Sequence, residues 1–292
     1  MRINIITRFN GVGLEADYLL LHDYLSSKGH QVRGIDFTSY GGAQKADLNI
    51  WEEILEPMGI LGKLAPENWC IVNPEWFFPA WLENEGKQVS KFICKTHDAF
   101  RLFEPTGKAI YTGWMAKDRM VRGIRRERRF LHIAGKSNFK GTKAIELAWN
   151  EHMPPLTIIG ETANPRPGIE LIPRLEESCL IDLMNRCQFH LCPSMYEGWG
   201  HHLHEGLSCG AVILTTDAPP MNEFGCAVLV EAPEGNRSQH HMATLYGVRP
   251  CDIKSGVDKM MEMSEGEVLE HRWFARKRYE DNEREFEELF PL

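Results

Sequence analysis

Residues 187 to 223, CQFHLCPSMYEGWGHHLHEGLSCGAVILTTDAPPMNE, constrain this chain more than any other stretch. Phe189 to Cys192 is an apolar run stopped by Pro193, and Tyr196-Glu197-Gly198-Trp199-Gly200 is a glycine-punctuated loop. His201 to Ser208 is helix-compatible, with Gly210 where a C′ glycine belongs. Ala211 to Thr215 is a second apolar run with β-branched residues, the composition of a buried parallel strand. Strand, glycine loop, helix and strand therefore follow one another. A helix that starts after a glycine loop offers unpaired N–H groups and the positive end of its dipole to an anion. Glu197 stands in the loop and Glu205 inside the helix, with seven residues between them. Carboxylates accept hydrogen bonds from sugar hydroxyls, so the arrangement suits a nucleotide-sugar, with a diphosphate in the middle and a sugar at each end.

The string PSMYEGWGHHLHEGLSCGAVILTTDAPPMNE resembles the donor-site signature of retaining GT-B glycosyltransferases of family 4 (glycosyl transferases group 1). That pattern runs P-S-x-x-E-G-[FW]-G, then seven residues from Glu to Glu, then C-G-x-x-[IV], then a loop ending in Glu. Pro219-Pro220 stands where the family usually has Gly-Gly, and proline has no N–H to donate. The resemblance implies an α/β protein of GT-B fold, two Rossmann-like domains with parallel sheets facing a central cleft. It divides the chain into an acceptor-side domain at 1–128, trimmed relative to its kin, and a nucleotide-sugar-binding domain at 129–270. A helix at 271–292 is expected to return to the first domain.

The remaining chain reads in the same idiom. Ile3 to Thr7, a Gly loop at Asn10 to Gly13, a helix from Leu14 to Ser27 and a strand from Gln31 to Asp36 make a Rossmann-like opening. Gly11 and Gly13 allow close backbone approach, and the family's similar loop faces the donor; a plain tight βα turn is the alternative. A helix is expected at 50 to 56. The aromatic cluster Trp76, Phe77, Phe78 and Trp81 is either core or a stacking surface. His97 follows the strand Val89 to Cys94, and a histidine so placed points toward the crevice of an α/β sheet. In the family a His here contacts the donor sugar. Gly135-Lys136-Ser137-Asn138-Phe139-Lys140-Gly141 resembles the family's G-R-x4-K-G, with Lys for Arg and a spacer one residue shorter. Its basic pair, Lys136 and Lys140, is implied to grip the diphosphate. Arg174 and Leu175 resemble the loop that holds the base. Glu176 to Cys187 is amphipathic, with Leu180, Leu183, Met184 and Cys187 on one face. Ser264 to Leu289 is a long charged helical region.

Charge is uneven. The net charge is −8, yet residues 117–143 hold ten Lys/Arg against Asp118 and Glu127, so that segment is +8 and the rest −16. Ala116 to Arg129 reads as a basic helix, suited to phosphates of a donor, a nucleic acid or a membrane surface, or simply solvated. The eight cysteines show no C-x-x-C, which favours free thiols in a reducing compartment. No apolar run reaches membrane-spanning length, and MRINIITRFNGVG has no signal-peptide pattern, so a cytoplasmic enzyme is expected. His201, His202, His204 and Glu205 lack the H-E-x-x-H zinc spacing, so no metal site is expected.

The activity implied by the resemblance is transfer of a sugar from a UDP- or GDP-sugar to an acceptor hydroxyl, with retention and without a cofactor. Glu197, His97 and Lys140 carry the catalytic roles. Gly11, Gly13, Lys136, Lys140, Arg174, Leu175, Glu197, Gly198, Trp199, Gly200 and Glu205 bind the donor. The acceptor stays open between glycan, lipid-linked or small-molecule hydroxyls and hydroxymethylated bases of DNA. A binding protein for sugar nucleotides or nucleic acid, without turnover, is the alternative of another class.

Overall fold

The structure, a computed structural model, describes residues 1–292 apart from 10, 12, 57, 161–163 and 165. Two compact units form. The first contains Met1–Met115, Gln239–Ala243 and Glu285–Leu292, and the second Ala116–Ser238 and Thr244–Arg284.

In the first unit the strands are β1 (Arg2–Thr7), β2 (Gln31–Asp36), β3 (Leu48–Glu52), β4 (Glu67–Val72), β5 (Lys91–Cys94) and β6 (Ala109–Tyr111). Between them lie α1 (Gly13–Ser27), α2 (Met58–Leu61), α3 (Ala80–Glu83) and α4 (His97–Phe103). The sheet is parallel, in the order β2-β1-β3-β4-β5-β6. Parallel strands covered on both faces read as unbroken runs rather than alternations. That is why residues 50–56, expected to be helical, begin as the end of a strand: all five residues of β3 are buried. Its one amide, Asn49, is satisfied across the sheet. Asn4 Nδ2 donates to its Oδ1 at 3.0 Å, and its own Nδ2 donates to Asn68 Oδ1 at 2.9 Å and the Leu61 carbonyl at 3.1 Å. The pairing Asn4–Asn49–Asn68 follows the strand register, so it locks that register as well as burying the amides. The aromatic cluster splits. Phe77 and Trp81 join a core with Trp51, Phe92 and Phe103, whereas Trp76 and Phe78 are exposed. Burying each such ring contributes roughly 2–3 kcal/mol.

The second unit is built from β7 (Glu127–Ile133), α5 (Thr142–Ala148), β8 (Leu156–Ile159), β9 (Ile169–Ile172), α6 (Glu177–Arg186), β10 (Cys187–Cys192), α7 (His201–Ser208), β11 (Val212–Asp217) and β12 (Val228–Glu231). Its sheet is also parallel, in the order β12-β11-β10-β7-β8-β9. Read from the other edge this is the 3-2-1-4-5-6 order of the dinucleotide-binding fold, and its switch point lies between β7 and β10. Phe130 and Phe189 face each other across that pair, 4.9 Å apart. The amphipathic α6 buries Met184 and packs Leu180 and Leu183 on a core with Leu131, Ile159 and Cys187. Residues 237–240 and 243–246 are the strands β13 (Arg237–His240) and β14 (Ala243–Tyr246). They lead to α8 (Pro250–Glu262) and α9 (Glu265–Leu289), the latter one unbroken helix.

Residues 116–128, assigned from the sequence to the first domain, cluster with the second unit. They form no helix before β7. Their arginines bond to distant groups there instead: Arg126 to the Cys209 carbonyl, and Arg128 to the carbonyls of Met261 at 2.7 Å and Met263 at 3.2 Å. Such bonds outweigh the modest helix propensity of a charged segment.

Candidate functional site

The carboxyl ends of β7 and β10 each release a loop. The loop after β7 carries Lys136 and Lys140, and the loop after β10 carries Glu197. The two are stitched together. Met195 N–H donates to the Phe139 carbonyl at 2.7 Å. Gly141, with φ +72°, approaches the Pro193 carbonyl so closely that a Cβ would lie 2.1 Å from its oxygen. Only glycine tolerates both the left-handed backbone and that contact. Across this junction Lys140 Nζ donates to Glu197 Oε1 at 2.7 Å and Oε2 at 2.9 Å. The two candidate catalytic groups of this unit are therefore one ion pair, with side chains 18% and 9% exposed. His202 Nδ1, 3.1 Å from the same ammonium, accepts the third of Lys140's three donors.

α7 starts directly after the loop. Gly200, at φ +81° and ψ +58°, is its N-cap, and its carbonyl receives the N–H groups of Leu203 at 2.9 Å and His204 at 3.1 Å. The N–H groups of a helix's first turn have no intrahelical acceptor, and this turn opens beside the Lys140–Glu197 pair. Gly198 and Trp199 are buried. The Trp199 ring stacks on His204 at 3.7 Å between centroids, with Phe224 edge-on at 5.7 Å. Trp199 thus serves as the wall behind the glycine loop. Burial holds the His204 ring neutral, its pKa pushed down to about 3.

Glu205 is not joined to Glu197. It pairs with Arg119 at 3.3 Å, and Arg119 also binds Glu177 at 2.6 Å. The Arg119 N–H further donates to Ser208 Oγ at 2.9 Å. Arg119 is a further candidate that the sequence reading did not single out. It was counted only as one charge in a basic run, and the separation of 86 residues from Glu205 leaves no local signal. Lys136 is exposed in the turn after β7. Arg174 is exposed and Leu175 half-buried between β9 and α6, so the base-loop candidates sit on the β8–β9 side of the same edge. Much of the +8 segment is neutralised locally. Lys117, Arg119, Arg129 and Lys140 are ion-paired, and Arg126 and Arg128 face carbonyls.

The first unit holds the other candidates. Gly11, at φ +69°, donates its N–H to Glu15 Oε2 at 2.7 Å, and Gly13 begins α1; a Cβ on either would meet nothing within 4 Å. Asn10 and Val12 of that loop lie outside the described residues. His97 opens α4 behind the Thr96 cap and stacks on Tyr111 at 3.9 Å. Below them the carboxyl edge of this sheet is dense with buried acids. Lys95 pairs with Asp17, which also takes Trp114 Nε1–H at 2.6 Å. Asn73 donates to Glu53. Glu52 sits beside the Thr7 hydroxyl without a well-formed hydrogen bond. Burial, then the Asp17 charge, raises the Glu52 carboxyl well above the usual range, and burial lifts Glu53 to about 7. Among the described residues no group of three or more His, Cys, Asp or Glu is spaced to hold a metal ion, and no helix is long and apolar enough to cross a membrane.

No protein-family model and no curated protein matches the sequence. Solved structures do. The chain is similar to a sucrose-phosphate synthase from Thermosynechococcus elongatus (TM-score 0.68, 11% identity, 99% of this chain and 95% of that one). It is similar to Anabaena HepE in complex with UDP and glucose (0.65, 14%, 98% and 95%). It is also similar to the pneumococcal O-GlcNAc transferase GtfA in complex with UDP and GlcNAc (0.61, 16%), covering 92% of this chain and 58% of that one. The chain thus spans under two thirds of GtfA, and likewise 57% of the chain matched in a GtfA/B complex. The fold is GT-B. Identities this low carry the architecture, two Rossmann-like parallel sheets, and nothing finer.

Proposed function

We propose that this chain is a retaining glycosyltransferase that moves a sugar from a nucleotide diphosphate sugar to an acceptor hydroxyl. The observation that carries the reading is the meeting of Lys140 and Glu197 at the β7/β10 switch point, beside the first turn of α7. In parallel α/β sheets that is where ligands bind. The UDP-bound GT-B structures of similar fold support it. The second unit takes the donor and the first presents the acceptor, with the division after Met115.

In this reading the first turn of α7, with Lys136 and Lys140, faces the leaving diphosphate. Its negative charge grows in the transition state, so preplaced positive charge lowers that barrier more than it tightens ground-state binding. Glu205, steadied by Arg119, accepts from the ribose hydroxyls. Glu197 accepts from a hydroxyl of the transferred sugar, and His97 contacts that sugar from the first unit. Gly11 and Gly13 admit close backbone approach, Gly198, Trp199 and Gly200 shape the loop, and Arg174 and Leu175 border the base. Retention proceeds by front-face attack within an ion pair, without a covalent nucleophile. Charge stabilisation comes from ammonium and helix dipole, so the reaction needs no metal, and the same reading has the protein in the cytoplasm.

The test is nucleoside diphosphate release from a panel of UDP- and GDP-sugars, with chelator present, with glycan, lipid-linked and small-molecule acceptors, and with hydroxymethylated duplex DNA. Release from one donor supports the reading, and the acceptor that accelerates it names the class. Absence of both release and binding for every donor overturns it.

A further inference from the structure

Within the donor site one side chain has a chemistry that its neighbours dictate. His202 is the second residue of α7 and is 8% exposed. Its Nδ1 lies 3.1 Å from Lys140 Nζ. An ammonium carries donors only, so Nδ1 must accept and the ring proton must sit on Nε2. That Nε2 is buried and meets no acceptor among the described residues. His204, two positions on, is the reverse case. Its Nδ1 lies 3.3 Å from the Gly200 carbonyl, which only accepts, so its proton is on Nδ1. The two imidazoles of one helical turn are therefore opposite tautomers. The titratable groups facing His202 are Lys140, His132, His204 and His201, and burial first, then the Lys140 ammonium, holds its ring neutral, well below the usual histidine range.

We propose that His202 is a specificity-determining residue whose neutral Nε2–H donates a hydrogen bond to a hydroxyl of the transferred sugar, while Glu197 accepts from that sugar and Lys140 holds both side chains in place. This rests on the glycosyltransferase reading. A hydroxyl both donates and accepts, and it meets here a buried donor and a buried carboxylate fixed to the same ammonium. A phosphate only accepts, so the Glu197 carboxylate would repel it. A buried N–H without an acceptor is costly in the empty protein, and a sugar hydroxyl relieves that cost on binding.

Two measurements test it. The first is 15N NMR of the imidazoles in the ligand-free protein. The expected result is a His202 proton on Nε2, with the ring uncharged, throughout the neutral range. A charged ring or an Nδ1–H tautomer overturns the proposal whatever the protein binds. The second is calorimetric binding of UDP, GDP, UDP-glucose, UDP-GlcNAc and GDP-mannose to the wild type, His202→Ala and His202→Gln. His202→Ala should weaken the sugar nucleotide about tenfold, the worth of one hydrogen bond, and leave the bare nucleoside diphosphate nearly unchanged. His202→Gln, whose amide N–H reaches near the Nε2 position, should recover most of the loss. Equal weakening of sugar nucleotide and bare diphosphate, as expected if His202 merely steadies Lys140, overturns it, and so does failure of the glutamine to rescue. If the wild type binds no nucleotide at all, the glycosyltransferase reading falls and takes the sugar assignment with it, while the tautomer is decided separately by NMR.

Discussion

The carboxyl edges of the two sheets are built on the same parallel scaffold and solve opposite electrostatic problems. In the first unit, Asp17, Glu52 and Glu53 crowd one ammonium, Lys95, which is 1% exposed. Acids exceed bases, so burial drives the Glu52 and Glu53 carboxyls toward their neutral forms. In the second unit, one ammonium meets one carboxylate, and the surplus groups are imidazoles kept neutral by burial. The contrast teaches that a sheet edge can hold many ionisable side chains in two ways, by excess acid that protonates or by pairing that leaves neutral donors to spare. The second leaves hydrogen-bonding groups poised for a ligand.

The largest expected effect breaks the comparison at its two lysines. Lys95→Met strands Asp17 in the interior and should cost about 3–5 kcal/mol in denaturant unfolding. Lys140→Met should cost less, about 1–3 kcal/mol, because its pair is partly open to water, but should cut donor turnover at least ~100-fold. Equal stability losses would erase the distinction between a structural and a functional edge. Gly141→Ala comes next. Its Cβ would collide with the Pro193 carbonyl and push apart the loops bearing Lys140 and Glu197, at about 2–4 kcal/mol by thermal unfolding.

The pH response should differ in sign between the units. His132 and His190 stay neutral in the fold down to about 4, and His204 to about 3, because of burial. Unfolded histidines protonate below about 6.5, so the unfolded state binds more protons in that window. Stability of the second unit is therefore fully present above that value and is lost on acidification, about 1 kcal/mol per histidine near pH 5.5. Glu53 acts the other way. Its folded pKa of about 7 lies above the ordinary carboxyl value, so its contribution is present in acid and fades as pH rises toward neutrality. Hydrogen exchange, corrected for intrinsic rates and read separately over the two sheets, should show the second loosening first in acid. The smallest effect sharpens the same point. Glu52→Gln replaces a carboxyl that burial already drives toward its neutral form, so unfolding should shift by no more than roughly 0.5–1 kcal/mol. A large loss would mean that Glu52 is ionised and the first edge is paired after all.

Much of the architecture was legible in local pattern. The run from Phe189 to Thr215 announced strand, loop, helix and strand, and β10, α7 and β11 lie there. The period-3.6 face of Leu180, Leu183, Met184 and Cys187 is the face that α6 packs. Local pattern misled where tertiary contacts outbid it. β3 is buried on every residue, so its apolar run carries no period to tell strand from helix. The segment after Met115 looked helical by composition but is drawn out by arginines reaching the carbonyls of Cys209, Met261 and Met263.

The sequence by itself determined the alternation of strands and helices and the residue string from Pro193 to Glu223, whose resemblance implied the two parallel sheets, because spacing, glycine positions and apolar periodicity act within a few residues. Only the tertiary structure decided which charges cancel. The Lys140–Glu197 contact joins residues 57 apart, Lys140–His202 residues 62 apart and Arg119–Glu205 residues 86 apart. Whether a lysine faces solvent or a carboxylate, and which nitrogen of a histidine keeps its proton, depends on what the fold places opposite it, and chain spacing carries no record of that.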